Sequence, residues 1–300
     1  MTTALLASPR KSTNVRKDIV LGSIRFAIDL LNRTSPMLAT AWVARRFLTP
    51  GRVDWPIAEQ PWRDNARRGW LMTVGLPRDQ WNFQPMRTYR WGEARRGRIA
   101  LMHGWGGRAT QFYALIPLLV ERGYEVVAID APAHGESAGR LSSIVHVVHA
   151  LQRLIRSVGP VDGLVAHSLG GAAAVNALAA GLPVSRVVLV APSADLVAYS
   201  HQVARLLGFD EDLRARVQNR IETEFGIRWD ELTVPPLVAR LRQPGLVIHD
   251  RDDRELPPQV GESIAKAWPG ARFELTEGLG HNRILRDPLV LERITTFVTS

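Results

Sequence analysis

The chain has no cysteine among its 300 residues. Disulfide bonds, thiolate metal sites and cysteine nucleophiles are therefore excluded, and the absence fits a reducing compartment. No stretch approaches the roughly 20 uninterrupted apolar residues that a membrane span requires. The best candidate, Ile19 to Leu31, is interrupted by Arg25 and Asp29, and Met1 to Lys17 has no apolar core of signal-peptide length. We therefore expect a cytoplasmic protein, either free or peripherally bound to a membrane.

Acidic side chains are scarce in the first third of the chain. Residues 1–100 hold 18 Arg or Lys and 7 Asp or Glu, whereas residues 101–300 hold 20 and 22. The formal net charge of +9 therefore comes from the N-terminal region. A basic region of this kind meets anionic lipid, nucleic acid or an acidic partner, or it forms a solvated arginine-rich surface.

Two helices are predicted in this basic region. Over residues 18–33, four apolar side chains recur at helical spacing and define one face: Val20, Ile24, Ile28 and Leu31. A second helix is predicted to begin at Ser35-Pro36, with serine as the N-cap and proline in the first turn, and to end near Leu48. The first helix either contacts an anionic membrane surface or buries its apolar face against the rest of the chain.

Residues 51–87 show no regular period, and four tryptophans are interleaved there with arginines: Trp55, Trp62, Trp70 and Trp81. Such side chains can stack on bases or lie at a membrane interface, but more often they fill the seam between an extension and its host domain. We therefore predict packing for these tryptophans and expect no nucleic-acid partner. Residues 1–87 are predicted to form a basic helical N-terminal extension.

Strand and helix patterns alternate from residue 88 to residue 300. The predicted strands are Thr88 to Trp91, Arg98 to Met102, Tyr124 to Ile129, Gly163 to Ala166, Arg186 to Val190, Leu246 to His249 and Arg272 to Thr276. This alternation predicts an α/β fold, with a mostly parallel, doubly wound sheet flanked by helices on both faces. In such sheets the chemistry lies at the carboxyl ends of the strands.

The segment between Pro192 and Arg242 is too long to be a simple loop. Asp210 is a plausible helix N-cap, and the residues after it have an apolar helical face formed by Leu213, Val217 and Ile221. We predict a small helical lid, inserted at about residues 194–240, within a domain that spans residues 88–300.

The stretch from Asp162 to Ala180 combines an apolar strand, a serine and a run of small residues. Gly163 to Ala166 is long enough for one buried strand, and the segment from Gly170 onward is predicted to be helical. No loop separates the two, so the chain must turn sharply at Ser168. That turn lifts the hydroxyl above the sheet, beside helical N–H groups that have no partner. Ser168 is therefore a candidate nucleophile.

The pentapeptide from Ala166 to Gly170 is close to the Gly-x-Ser-x-Gly nucleophile elbow, with alanine as the first small residue. At this point the chain resembles the α/β-hydrolase superfamily, in its serine esterase or lipase-like branch, and the resemblance extends over residues 88–300. His103-Gly104-Trp105-Gly106 is similar to the family's oxyanion-hole turn. The resemblance implies that the backbone N–H groups of Trp105 and Leu169 stabilise an oxyanion.

The same resemblance implies that an acid follows the serine and that a histidine comes last. The segment 246–257 is similar to the family's strand-then-acid segment and indicates Asp253 as the acid. Three other aspartates remain alternatives: Asp195, Asp250 and Asp252. His281 is the candidate base, because it is the one histidine that is both late in the chain and set in a glycine-bearing loop.

Together these residues predict a serine hydrolase that cleaves a carboxylic acyl ester through an acyl-enzyme on Ser168, with neither cofactor nor metal. A thioesterase, amidase, C–C hydrolase or acyltransferase would use the same triad. A non-catalytic binding protein with the α/β-hydrolase fold is the alternative from a different class. Serine at the elbow argues against dehalogenase and epoxide-hydrolase chemistry, which in this superfamily uses a carboxylate nucleophile. No oligomeric state is predicted.

Overall fold

A computed structural model describes residues 12–52, 54–73 and 84–300, with side chains described from residue 19 onward. The described residues form eight strands: β1 (Arg67–Met72), β2 (Pro85–Trp91), β3 (Gly97–Met102), β4 (Tyr124–Ile129), β5 (Val161–His167), β6 (Val184–Val190), β7 (Gly245–Asp250) and β8 (Arg272–Thr276). Trp81 lies outside these ranges. Residues 1–11, which belong to the segment Met1 to Lys17 discussed as a signal-peptide candidate, also lie outside them.

The same residues form twelve helices: α1 (Ser12–Thr34), α2 (Pro36–Phe47), α3 (Gln60–Asp64), α4 (Ile116–Glu121), α5 (Ile144–Val158), α6 (Leu169–Ala179), α7 (Leu196–Leu207), α8 (Glu211–Phe225), α9 (Val234–Val238), α10 (Gln259–Ala267), α11 (Gly280–Arg283) and α12 (Pro288–Thr299). In the described part of the chain, none of these helices combines the length and apolarity needed to cross a membrane.

The eight strands form one sheet in the order β1-β2-β4-β3-β5-β6-β7-β8. The pairs β1–β2 and β2–β4 are antiparallel, and every other neighbouring pair is parallel. The predicted α/β fold, with a mostly parallel sheet flanked by helices, is therefore confirmed. The central strands are short apolar runs, and β4 and β7 are buried along their whole length, as expected where helices cover both faces.

β1 lies in the stretch that the sequence analysis left without regular structure, and this is a correction. The strand carries Arg67 and Arg68, and its residues are exposed or half-buried throughout. It forms an edge of the sheet and pairs with β2 alone. Because an edge strand needs no continuous apolar face, its sequence lacks the alternation by which buried strands are recognised.

The direction of winding reverses at β3, which lies between β4 on one side and β5 on the other. The chain therefore leaves β3 in one direction and returns to its other side through α5. The carboxyl ends of two adjacent strands diverge at such a point and leave a crevice, where ligands of open α/β sheets bind. The Trp105 turn follows β3 and Ser168 follows β5, so both candidate elements lie at this crevice.

By internal contacts the chain divides into two compact units, and neither begins at the predicted boundary of residue 88. Unit 1 comprises the residues up to Phe47 together with Val197–Thr223. It therefore contains α1 and α2, nearly all of α7 and most of α8. Unit 2 comprises Leu48–Leu196 and Glu224–Ser300, and it contains the whole sheet.

The predicted helical insertion is present as α7, α8 and α9, and two of its helices associate with the N-terminal helices inside unit 1. The Arg216 guanidinium on α8 donates to the Asn32 amide oxygen of α1 (2.6 Å) and to the Thr40 hydroxyl of α2 (3.1 Å). Arg25 on α1 donates twice to the Leu206 carbonyl near the end of α7, at 2.8 and 3.1 Å. These bonds join elements that lie more than 170 residues apart in the sequence.

Two of the clustered tryptophans fill internal positions of unit 2, as the sequence analysis predicted. The Trp55 indole N–H donates to the Thr110 hydroxyl (3.0 Å), and Trp62 packs against the apolar core below the sheet. Trp70 is half exposed and stacks on the Arg87 guanidinium, 3.6 Å from the ring centroid. The segment before β1 is thus an integral part of unit 2.

Candidate active site

The backbone at Ser168 is held in a conformation that serine rarely adopts. β5 ends at His167 and α6 begins at Leu169, which leaves Ser168 alone to make the turn, with φ 54° and ψ −125°. Three backbone hydrogen bonds hold this conformation: Ser168 N–H donates to Val190 O, and Ser168 O accepts from Gly171 and Ser193. Such strain persists only where the surroundings impose it, and it is typical of functional sites.

Small residues are required around this turn because backbones meet there. A Cβ on Gly170 would lie 2.3 Å from the His103 carbonyl oxygen, so α6 can pass the end of β3 only with glycine at that position. A Cβ on Gly104 would lie 2.8 Å from the Ser168 Cβ. The His103–Gly106 turn therefore faces the serine directly, as the resemblance implied.

The N–H groups predicted to stabilise an oxyanion lie on the two sides of this contact. Leu169 is the first residue of α6, where helical N–H groups have no intrahelical acceptor and the helix end carries partial positive charge. Trp105 lies in the turn after β3, with its half-buried ring edge-on to His134 at 5.2 Å between centroids. Leu169 follows Ser168 and Trp105 follows Gly104, so both residues adjoin this contact, and their role as oxyanion donors stays a prediction.

The turn that carries Trp105 is held by a buried histidine. His103 Nδ1–H donates to Gly104 O (2.7 Å), and its Nε2 accepts from Ala131 N–H (3.0 Å). Burial lowers the pKa of His103 to about 4, so the ring is neutral and this one tautomer satisfies both bonds. His103 thus stabilises the turn through hydrogen bonds on both ring nitrogens.

A buried ion pair, which the sequence analysis missed, anchors the far side of the same turn. Arg108 donates to both Glu59 oxygens, at 2.6 and 2.9 Å, and the Thr110 hydroxyl donates to Glu59 at 2.8 Å. Removing one partner of such a pair leaves a buried charge uncompensated, which costs about 3–5 kcal/mol. Glu59 gave no signal in the sequence because its partner lies 49 residues away.

Asp253 and His281 form a buried hydrogen-bonded pair. The distance from His281 Nδ1 to Asp253 Oδ2 is 2.7 Å, and Asp253 Oδ1 accepts from the N–H groups of Glu255 (2.8 Å) and Leu256 (2.9 Å). His249 Nε2 lies 3.2 Å from Asp253 Oδ2. Burial alone would raise the pKa of Asp253, but the hydrogen bonds from His249, His281 and Leu256 outweigh it and hold the pKa below its usual range. The carboxylate is therefore ionised and available to orient His281.

The other two aspartates of this segment bind the backbone of the loop that carries His281. Asp250 accepts from Leu279 N–H (3.2 Å) and Gly280 N–H (2.8 Å), and Asp252 accepts from Gly278 N–H (2.8 Å). The three carboxylates thus have different contacts: Asp250 and Asp252 bind the loop backbone, and Asp253 contacts the imidazole. Asp195, the fourth candidate, precedes α7 on the previous crossover.

His167 links the serine turn to the loop that carries His281. Its Nε2 lies 2.9 Å from the His281 carbonyl oxygen, and its Nδ1 lies 3.2 Å from the Gln111 amide nitrogen. A carbonyl only accepts, so Nε2 carries the proton and Nδ1 accepts from Gln111. Burial and the neighbouring His281 lower the pKa of His167 to about 3, which keeps it in this neutral form. The residue before Ser168 therefore joins the two loops.

Glu255 is a further residue that the sequence analysis missed. Its Oε2 lies 3.8 Å from His281 Nε2, and its Oε1 accepts from the Asn282 amide (3.0 Å). The side chain is exposed, so the edge of His281 opposite Asp253 faces a solvated negative group. Within the described part of the chain, no group of three or more His, Asp and Glu residues is arranged to hold a metal ion.

Comparison with known proteins identifies the family. The sequence model of the Alpha/beta hydrolase family matches residues 99–293, which is more than half of the chain. The chain therefore belongs to the α/β-hydrolase family.

Individual relatives are more distant. Protein ABHD12B of Homo sapiens is 25% identical over 222 residues, which cover 67% of this chain and 60% of that protein. The pyrethroid hydrolase of Sphingobium wenxiniae is 36% identical over 104 residues, 31% of this chain and 37% of that protein. The chain spans less than two thirds of the length of both. The solved structure of the Pyrococcus furiosus esterase Pf2001 superposes with a TM-score of 0.62 at 16% identity, covering 84% of this chain and 98% of that one. At that identity the likeness concerns the fold.

Proposed function

We propose that this α/β hydrolase cleaves a carboxylic ester by a serine mechanism, with Ser168 as nucleophile, His281 as general base and Asp253 as the acid that orients it. The observation that carries the proposal is the buried 2.7 Å hydrogen bond between Asp253 and His281 Nδ1. In a neutral imidazole this bond favours the tautomer with its proton on Nδ1, in which Nε2 can accept, the form that a general base needs.

The mechanism begins at Ser168. His281 Nε2 accepts the hydroxyl proton while Oγ attacks the acyl carbonyl carbon, and the N–H groups of Trp105 and Leu169 stabilise the oxyanion. Each such donor contributes about 2.7–4 kcal/mol to transition-state stabilisation. When the intermediate collapses, the ester C–O bond breaks and His281 returns the proton to the leaving alcohol.

Deacylation repeats the sequence with water as the nucleophile. His281 takes a proton from the water as it attacks the acyl-enzyme, and the proton then passes to Ser168 Oγ as the carboxylic acid departs. Asp253 stays ionised throughout and stabilises the imidazolium. The exposed carboxylate of Glu255 beside His281 disfavours substrates that carry negative charge next to the scissile bond.

The first experiment uses a fluorophosphonate probe and a panel of p-nitrophenyl esters of increasing acyl length. The wild-type protein should be labelled and should hydrolyse at least part of the panel. Ser168→Ala should abolish labelling and reduce kcat by at least about 10⁴, because no other group supplies the nucleophile. Circular dichroism checks that the variant is folded.

The alternatives give different results in the same assay. A thioesterase would prefer a sulfur ester over the matched oxygen ester, and an acyltransferase would pass the acyl group to an added alcohol faster than to water. A non-catalytic binding protein would show neither labelling nor turnover, and that result would overturn the proposal. Activity of more than a few per cent in well-folded Ser168→Ala would overturn the role of Ser168.

A further inference from the structure

Unit 1 leaves much of its apolar surface in water. The large apolar side chains that remain exposed in the described part of the chain number fourteen, and nine of them belong to unit 1, which holds about a quarter of the residues. The nine are Ile19, Val20, Phe26, Leu30, Met37, Leu38, Trp42, Tyr199 and Leu206. Concentrated exposure of this kind marks a surface that meets an apolar phase or a partner.

Three of these side chains follow one face of α1, and a fourth lies in the first turn of α2. Ile19, Phe26 and Leu30 are separated by 7 and 4 residues, the spacing that keeps side chains on one side of a helix, and Met37 follows seven residues after Leu30. Ser35 N–H donates to Leu31 O (2.8 Å) at the end of α1, and Ala39 N–H donates to Ser35 O (3.0 Å) at the start of α2, so Ser35 alone separates the two helices. We call these four residues the apolar stripe.

The stripe is not the face that the segment buries. Ile19, Phe26, Leu30 and Met37 are 63%, 68%, 51% and 74% exposed, whereas Ile28 is 2% exposed. Ile28 lies half a turn away from Phe26 and Leu30 around the helix. The helix α1 is therefore apolar on two opposite sides, and one of them has no covering within the described chain. Val20, which the sequence analysis placed on the same apolar face as Ile28, is 58% exposed.

Arg33 lies on the same side of α1 as the stripe, seven residues after Phe26, and α2 carries two more exposed arginines, Arg45 and Arg46. The one acid among residues 19–47 is Asp29, which pairs with Arg33 at 3.0 Å. An exposed apolar stripe in so basic a segment matches the interface of an anionic bilayer, where acyl chains receive the apolar groups and headgroups pair with arginine. A second copy of this chain fits less well, because a two-fold contact would place like charges opposite one another.

We propose that unit 1 docks this protein peripherally on an anionic phospholipid surface, through the apolar stripe and the arginines beside it. The stripe residues enter the interface between headgroups and acyl chains, and the arginines supply attraction that added salt screens. This docking goes beyond the proposed hydrolase activity and does not depend on it, because no residue of the candidate active site takes part.

The test is co-sedimentation of the full chain with vesicles of phosphatidylcholine alone or mixed with phosphatidylglycerol, at low and high salt. The wild-type protein should bind the mixed vesicles at low salt, release them at high salt and bind neutral vesicles poorly. Phe26→Glu combined with Met37→Glu should weaken binding at least about tenfold. Leu289→Glu is the matched control, because Leu289 is 63% exposed on α12 in unit 2, and it should leave binding unchanged.

A charge variant provides a second measurement. Arg33→Gln should weaken binding to the mixed vesicles about fivefold, whereas Arg242→Gln, which changes an exposed arginine of unit 2, should not. Thermal unfolding checks each variant, and Ser168→Ala should bind as the wild type does. Deleting residues 1–50 is a poorer test, because it removes two helices from unit 1 and with them the bonding partners of Arg216 and Leu206.

Three outcomes would overturn the docking. The wild-type protein could fail to bind mixed vesicles at low salt, or the double variant could bind them as tightly as Leu289→Glu does. Alternatively, sedimentation velocity could show a concentration-dependent dimer that the double variant abolishes while vesicles bind neither protein, and the stripe would then be a contact between copies.

Discussion

Unit 2 buries titratable side chains in hydrogen-bonded networks, whereas unit 1 leaves large apolar side chains in water. In unit 2, nine histidine and aspartate residues are less than a tenth exposed: His103, Asp130, His134, His146, His167, His249, Asp250, Asp253 and His281. Burying such groups costs free energy unless they are hydrogen-bonded, and they cluster where they hold a turn or take part in catalysis. The exposed stripe of unit 1 forms no such network within the described chain. The two proposals thus place catalysis in unit 2 and membrane docking in unit 1.

The largest effect expected in this comparison is the fall in kcat when the Asp253 carboxylate is removed. In Asp253→Asn, the amide turns N–H toward His281 Nδ1, so Nδ1 must accept and Nε2 takes the proton. This tautomer cannot accept the serine proton, and we expect kcat to fall about 10⁴-fold, as the same change does in serine proteases. Vesicle binding, which belongs to unit 1, should not change.

Two controls separate this role from loop geometry. Asp250→Asn removes an acceptor from the loop backbone, so it should lower stability and cost less than about 100-fold in kcat. Asp195→Asn should have little effect on kcat. If Asp195→Asn instead proves the most damaging of the three, the acid belongs to the earlier strand and the assignment of Asp253 is wrong.

Acid should affect the two units differently. Burial lowers the pKa of His103 to about 4 and of His134 and His167 to about 3, so these rings stay neutral in the folded chain while the unfolded chain protonates them near pH 6.5. Their contribution to stability is fully present above pH 6.5 and is lost as the pH falls from there toward 4. Asp130 acts in the opposite sense, because burial raises its pKa to about 6 and acidification between pH 6 and 4 favours its folded, protonated form.

Below pH 6 the unfolded chain therefore binds up to two more protons than the folded chain. The free energy of unfolding of unit 2 should then fall by about 3 kcal/mol for each pH unit of acidification. Urea unfolding at pH 7 and pH 5 measures the change in the free energy of unfolding. Hydrogen exchange of peptides from each unit then shows which unit loses protection. His134→Leu should flatten the dependence by about one proton. Unit 1 has no buried histidine among its described residues, so its peptides should keep their protection from hydrogen exchange to lower pH than unit 2 peptides do. Loss of protection in unit 1 at the same pH as in unit 2, or at a higher pH, would contradict this prediction.

The smallest expected effect compares one backbone position in each unit. Ala133 in unit 2 and Gly208 in unit 1 both have positive φ, 66° and 71°, a conformation that favours glycine. Ala133→Gly should therefore raise the free energy of unfolding by up to about 1 kcal/mol, and Gly208→Ala should lower it by about 1–2 kcal/mol. Thermal unfolding measures both, and equal signs for the two would show that neighbouring contacts outweigh the backbone.

Much of unit 2 could be predicted because its signals are local. The turn at Ser168 needs small residues within two positions on either side, and the apolar runs of the central strands are buried on both faces. Both requirements are written in consecutive residues. β1 was missed because an edge strand carries no comparable pattern, and its place in the sheet depends on pairing with β2.

The arrangement of the site depended more on distant contacts. The sequence indicated Asp253 through a family resemblance while three other aspartates stayed open, and the 2.7 Å contact with His281 distinguishes Asp253 from its neighbours. The neighbours, Asp252 and Asp250, lie one and three positions before Asp253, and what separates the three is how the loop folds back over them. Neither the reach of Glu255 to His281 nor the pairing of Glu59 with Arg108 has any mark in the sequence.

The sequence by itself determined the parallel sheet, the strand–serine–helix turn and the concentration of positive charge in the first third, because each depends on residue types at short spacing. Only the tertiary structure decided that α1 and α2 associate with α7 and α8, and that the face of α1 left in water carries Phe26 and Leu30 rather than Ile28. α1 is apolar on both sides, so its own pattern cannot choose which side is buried. That choice is made by bonds such as Arg216 to Asn32, between residues 184 positions apart.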